Sequence, residues 1–356
     1  MQVIGVDPHK GSYTAAAVTV TGEVLDELRV VASSRQIERL LGWAARWPQR
    51  RWAVEGARGV GRLLAQQLVA AGEMVVDVPA ALATRVRVLS GSSGRKTDSH
   101  DARAVAIAAL HAVGLIVVAA ENHSQVLRLL SQRRAQLSAT RTQTVARVHN
   151  LLAELLPGGA KRQLSADTAG KVLRQVRPAT AVDECRRELA RELLEDLRRL
   201  DRKLAENKTR IEAAAAMSGT TLPEVQGIGP VTAARILGQV GDVSRFADRA
   251  HFAAYAGAAP IEACSGAIQR HRLSRNGNRQ LNSALHTVAI TQIAHPGAGR
   301  ELYRRKLAAG KTAGEARRAL KRHLANVIYA RLVDDNQRGV SGPGRTHEGD
   351  SAIQRG

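Results

Sequence analysis

An α/β domain followed by a long all-α remainder is the fold the sequence predicts, on three observations. Short β-branched runs alternate with helical stretches from Met1 to about His111. From about Ser124 onward apolar residues recur at three- and four-residue steps, the period of one helix face. Pro157-Gly158-Gly159 and Gly227-Ile228-Gly229-Pro230 then divide the helical part into segments.

The first run, residues 2–8, is apolar and ends in Asp7-Pro8. Tyr13–Val20 and Glu23–Val31 follow as two strands, with Thr21-Gly22 between them as a hairpin turn. A helix is predicted from about Arg35 to Ala45, a short strand from Arg51 to Val54 ending on Glu55, and a helix from Gly61 through about Ala71. Met74–Val78 is a further strand, closed by Pro79 as the next helix opens. Three strands, then helix, strand, helix, strand and two helices is the order of a ribonuclease H-like domain.

The second of those closing helices begins at Gly94-Arg95-Lys96-Thr97-Asp98-Ser99-His100-Asp101, after the Gly/Ser-rich loop from Ser90. Residues at i and i+3 share a helix face, so Asp98 and Asp101 point the same way. Acids at a helix N-terminus are stabilising in their own right, by capping and by the helix dipole. They are also hard oxygen ligands for a divalent metal. Asp7 ends the first strand and Glu55 the fourth, where the sheet order brings strand ends together. Four acids each at a strand end or a helix start weigh towards the metal site.

Two long helices are predicted next, at about Ser124–Leu156 and Asp183–Ala216. The first has Val126, Leu129, Leu130, Leu137, Val148 and Leu152 among its apolar positions; the second has Leu189, Leu193, Leu197, Leu200, Leu204 and Ile211. They form an antiparallel pair, a coiled-coil dimerisation arm or a plain helical linker. Gly227 and Gly229, between helical segments, resemble a helix-hairpin-helix whose backbone N–H groups reach a phosphate, or else make a tight packing turn. Ala259–Gly266 is turn-like and contains Cys264 and Ser265. Beyond it Arg270, Arg272, Arg275, Arg279 and the bases up to Arg322 face just Glu301 and Glu315 up to residue 323, the imbalance of a polyanion surface. Asp334–Gly356 is Gly-rich and polar, the composition of a disordered tail.

Lys and Arg number 53 against 32 Asp and Glu in 356 residues, a net charge of +21, which argues for nucleic acid as the partner. Aromatic residues are 3%, so base stacking is not the main mode of binding. No apolar run approaches the roughly 20 residues that span a bilayer, and no signal peptide opens the chain. Cys185 and Cys264 stand in unrelated contexts and offer neither a zinc cluster nor a disulfide framework, which fits a reducing bacterial cytoplasm.

Taken together, Gly5-Val6-Asp7-Pro8-His9-Lys10, Val54-Glu55-Gly56-Ala57, Lys96-Thr97-Asp98-Ser99-His100-Asp101-Ala102, the Gly227–Pro230 hairpin, and Ser265-Gly266 followed by Arg275-Asn276-Gly277-Asn278 resemble one family. It is the DEDD-type insertion-sequence transposases of the insertion sequence one-ten family, and the likeness covers nearly the whole chain apart from its tail. The resemblance implies a RuvC-like domain at 1–115 and a helical coiled-coil connector at 116–216. A mostly α transposase domain with a helix-hairpin-helix and a catalytic serine would fill 217–333, ahead of a tail at 334–356. It implies that Asp7, Glu55, Asp98 and Asp101 bind Mg²⁺, or Mn²⁺ in its place, and that Ser265 attacks a DNA phosphodiester to form a phosphoserine link. It also implies target and donor DNA as substrates, a structured bridge RNA as guide, and a dimer or tetramer of this chain as the active assembly. Nucleic acid would then be held by Lys96, Gly227, Gly229, Arg270, Arg272, Arg275, Asn278 and Arg279, and His9, His100 and His271 would be hydrogen-bonding neighbours of the centre. Two other readings use the same residues. One is a junction-resolving endonuclease in which the acids activate water, without Ser265; the other is a binding protein without chemistry, in which the acids only cap.

Overall fold

The computed structural model describes residues 1–89, 98–161, 163–265, 268–273 and 277–339, with backbone alone for 261–265 and 268–273. The chain divides into two compact units, Met1–Glu121 and Asn122–Gly356.

The first unit is a six-stranded mixed sheet in the order β3-β2-β1-β4-β5-β6 with helices on both faces. Its strands are β1 (Gln2–Pro8), β2 (Ser12–Val18), β3 (Val24–Val31), β4 (Arg50–Glu55), β5 (Val75–Val78) and β6 (Ile116–Val117). The first three form an antiparallel meander, while β1, β4 and β5 run parallel. This is the ribonuclease H-like order expected from the sequence. β1 and β2 are buried along almost their whole length, which is why they read as near-continuous apolar runs. Successive side chains of β1 go to opposite faces. Ile4 and Val6 pack with Leu40 of α1 (Gln36–Ala44) and with Leu64 and Leu68 of α2 (Arg62–Ala70). Val3 packs with Ala83 of α3 (Ala80–Leu89) and with Val105, Ala106 and Ala109 of α4 (Asp98–His111). β6 pairs antiparallel with β5. It was not expected from the sequence, because two residues are too short a run to show a strand period.

The second unit begins with α5 (His123–Leu155), α6 (Ala166–Gln175) and α7 (Ala181–Met217). Asn122 and Thr180 cap α5 and α7 through their side chains. The two long helices lie antiparallel within one chain. His123 meets the Ala214 carbonyl at 2.6 Å, Arg134 donates to Leu204 O at 3.1 Å, and Arg186 donates to Glu154 at 2.7 Å. The buried seam keeps Leu130, Leu137, Val148, Leu152, Leu197 and Ile211 of the sequence expectation and departs from it at a few positions. Leu127, Leu130, Ala190, Leu194 and Leu197 are buried, while Val126, Leu129 and Leu189 are exposed.

A second core follows, built from α8 (Pro230–Val240), α9 (Arg249–Tyr255), α10 (Arg279–Ala294), α11 (Ala298–Ala308) and α12 (Ala313–Gln337) around Ile236, Phe252, Leu285 and Ile328. Between α9 and α10 stands a hairpin of β7 (Pro260–Ser265) and β8 (Ile268–Leu273), where an irregular turn was expected. Asp334, expected to open a disordered tail, is helical. α12 continues through Gln337, and Asp335 is buried where it accepts hydrogen bonds from Thr220 Oγ1, Thr221 N and Thr221 Oγ1 at 2.8–3.0 Å.

Candidate active site

Asp7 follows Val3 and Gly5 on the face of β1 that looks towards α4. Ala53 of β4 packs on that same face, so Glu55, two residues on, is on it too. The register pairs Val6 with Val54, and its next step sets Asp7 beside Glu55. Over these strand ends sits the first turn of α4, which carries Asp98 and Asp101. Glycine makes the approach possible. A Cβ on Gly5 would overlap the Ala102 carbonyl oxygen and the Ala106 nitrogen, so α4 lies directly on the β1 backbone one residue from Asp101. Gly61 does the same on the other side, where a Cβ would come within 2.6 Å of Val54 and 2.8 Å of the Glu55 carbonyl oxygen.

The four acids therefore meet from three elements. Asp7 is 7% exposed, and its Oδ2 is buried without a hydrogen bond. His9 Nε2 stands 3.1 Å from that oxygen, outside hydrogen-bonding alignment, and 3.5 Å from Asp98 Oδ1. Burial raises the Asp7 pKa; His9 lowers it, and Asp101 and Asp98 add to the rise. Burial likewise raises the Glu55 pKa, with Asp7 the largest charged contributor. Like charges in a partly desolvated cleft oppose each other's ionisation, and a cation is what relieves them.

The donor set fits a divalent cation. Asp7, His9 and Asp98 each offer one ligand atom within 4.8 Å of the others, and the buried Asp7 oxygen has no other partner to lose. Asp101 is engaged differently. Arg87 of α3 donates to its Oδ1 at 2.6 Å, an interaction that raises the Arg87 pKa. Arg29 of β3 stands 3.7 Å from Asp98.

Sequence reasoning did not single out Arg87, Arg29 or Asp77. Asp77 of β5 accepts a hydrogen bond from the Ala57 amide at 2.8 Å and lies 3.5 Å from Arg58, which fixes the turn leaving Glu55. Arg87 and Asp77 meet their partners across strands and helices, so no local spacing marks them. His9 was named as a neighbour and is placed between two of the acids.

The remaining expected residues lie elsewhere in the chain. Lys96 and Arg275 fall outside the described residues, as do the side chains of Ser265, Arg270, His271 and Arg272; Ser265 ends β7 opposite Ile268. Gly229 precedes α8 with Pro230 at its first turn, and open space faces it. Gly227 has φ +86°, and a Cβ there would press on Thr291 at 3.3 Å, so it also serves as a packing turn. A short 3-10 turn, Leu222–Glu224, precedes Gly227. Asn278 caps α10, accepting from Gln280 and Leu281, and donates to Gln239 and Tyr255. That carboxamide is committed internally. Arg279 is exposed at the start of α10, and His100 is exposed on α4.

Comparison with known proteins adds the following. The model of the family described as "Transposase IS116/IS110/IS902 family" matches residues 219–304, and that of a DEDD transposase family of the IS110 type matches residues 4–157. The chain is 28% identical to the "Insertion element IS116 uncharacterized 44.8 kDa protein" of Streptomyces clavuligerus, over 93% of this chain and 94% of that one. It is 27% identical to a "Probable family 20 transposase" of Pseudomonas aeruginosa, over 69% and 71% of the two chains. Among solved structures, RuvC of T. thermophilus in complex with a Holliday junction substrate is similar over 33% of this chain and 99% of that one, at 20% identity and a TM-score of 0.27.

Proposed function

The chain belongs to the IS116/IS110/IS902 family of insertion-sequence transposases, and from that membership we propose that it cuts and rejoins DNA strands with a metal-assisted acid cluster and a serine nucleophile. The observation that carries the first half is the meeting of Asp7, Glu55, Asp98 and Asp101 around a buried Asp7 oxygen that has no hydrogen bond. Asp7 and Asp98 would hold the cation with His9, and Glu55 and Asp101 would complete its charge balance. Bound there, Mg²⁺ or Mn²⁺ supplies charge neutralisation and polarises a phosphodiester.

The protein's own residues do the rest. Arg87 holds the Asp101 carboxylate in place, and the Asp77–Ala57 hydrogen bond holds the turn after Glu55. Ser265 is the proposed nucleophile on the family resemblance. Its Oγ would bond to phosphorus as one P–O ester bond breaks, releasing a deoxyribose hydroxyl that takes a proton. Attack by the hydroxyl of another strand reverses the step, so no water is consumed and the bond energy is retained. The serine hydroxyl is weak at neutral pH and needs activation by such a cluster. A bridge RNA as guide, and an oligomer in which strands are exchanged, belong to the same proposal. Its support is the net charge of +21 and the one-sided basic sequence after Ser265.

The test is strand cleavage of element-end DNA with its guide, with and without Mg²⁺. Asp98→Ala should abolish cleavage at unchanged DNA affinity. Cleavage by that variant at the wild-type rate would contradict the assignment.

A further inference from the structure

Away from the acid cluster, the second unit buries a cation that is paired with no carboxylate among the described residues. Lys321 of α12 is 8% exposed, and its Nζ donates to Asn282 Oδ1 of α10 at 2.6 Å. The Asn282 amide donates in turn to the Ala256 and Gly257 carbonyls at 2.9 and 2.8 Å. Its oxygen is therefore a fixed, neutral acceptor and not a counter-charge. An ammonium has three N–H donors, and Asn282 is the acceptor that the described residues give it.

One helical turn along each partner stands another base. Arg317 is at i−4 from Lys321 on α12, and His286 is at i+4 from Asn282 on α10. Burial, Lys321 and Arg317 hold the His286 pKa down, and burial and Arg317 do the same to Lys321. Among the described residues no acid is paired with them. Residues 249–255 of α9 and 279–294 of α10 contain neither Asp nor Glu. Glu315 closes the capping box with Thr312, and Asp335 is held by Thr220 and Thr221. A buried charge is kept in a fold when it is paired, and among the described residues no carboxylate pairs with this one.

We propose that Lys321, Arg317 and His286 form a seat for one backbone phosphate of nucleic acid on the α10–α12 face. A phosphodiester offers two unesterified oxygens, enough to accept from the ammonium and from a guanidinium at once. Asn282 aims the ammonium and also holds the Ala256–Gly257 turn that leads into β7, so the seat lies at the root of the hairpin whose first strand ends on Ser265. This inference rests on the chain being a nucleic-acid enzyme. DNA and RNA share the phosphodiester, and the experiment separates them.

The full-length protein is titrated with random-sequence duplex DNA and, separately, with a hairpin RNA over a range of salt. The slope of log K against log salt counts the phosphates neutralised. Lys321→Met, which keeps length and loses charge, should lower the magnitude of the slope by about 0.9 in the duplex arm if the phosphate is DNA. The same loss confined to the RNA arm assigns the seat to RNA. Arg317→Gln, at a half-buried position, gives an independent reading if the Lys321 variant does not fold. Slopes unchanged for both variants in both arms would overturn the seat and leave Lys321 as a bridge between helices. A wild-type protein without salt-dependent binding to either probe would overturn the nucleic-acid reading itself.

Discussion

At the scale of single residues, the acid cluster sets stability against function. Asp7 and Glu55 both have pKa values raised chiefly by burial. A raised pKa means that the native state holds its proton more tightly than the unfolded chain does. Their contribution to stability is complete below the ordinary carboxylate range, about pH 4, and is lost as pH rises through the raised values. Metal-free protein at neutral pH therefore carries a cost that a neutral isostere removes. Asp7→Asn should raise the Tm of metal-free protein at pH 7, flatten its fall between acid and neutral pH, and abolish activity. Differential scanning fluorimetry across pH checks this, and a lower Tm for the variant at pH 7 would contradict it. Adding Mn²⁺ should raise the wild-type Tm in proportion to the logarithm of metal concentration and leave Asp7→Asn unmoved. These residues were legible in the sequence because strand ends and an i, i+3 pair are local patterns. Arg87 and Asp77 were not, since each meets its partner through tertiary packing.

At the scale of elements, the site depends on how closely helix and sheet approach. Gly5 has no room for a methyl group against the Ala102–Ala106 backbone of α4. Gly5→Ala should cost about 1–3 kcal/mol by overpacking, and should also weaken the stabilisation by Mn²⁺ because α4 carries Asp98. Urea unfolding with and without metal measures both; wild-type values in each would show that α4 yields without moving the acids. In the second unit, Asp335→Ala removes one carboxylate from three donors and leaves them unsatisfied, a loss of about 1–3 kcal/mol. The strands and long helices were readable from their periods. What escaped was short or phase-dependent. β6 has two residues, α6 lies inside the connection between the long helices, and Leu127 and Ala190 are buried in place of the expected Val126 and Leu189. The period alone does not fix that phase, because Val126 and Leu127, and likewise Leu189 and Ala190, are adjacent apolar residues. Packing between the helices decides which of each pair is buried.

At the scale of the whole molecule, two units divide the proposed chemistry. Met1–Glu121 gathers the acids, and Asn122–Gly356 carries Ser265 and most of the one-sided charge. Among the described residues no helix is long and apolar enough to cross a membrane. Composition pointed to a polyanion partner, and motif order pointed to the family. Neither could reveal the buried Lys321, whose setting depends on α10 meeting α12. The central claim is that the acids serve a serine and not a water molecule. The most direct measurement is to stop the reaction on element-end DNA by denaturation, digest the protein, and locate any nucleotide adduct by mass spectrometry. The account predicts an adduct on Ser265 in wild-type protein that is absent from both Ser265→Ala and Asp98→Ala. Protein-free cleaved DNA, produced equally well by Ser265→Ala, would contradict it.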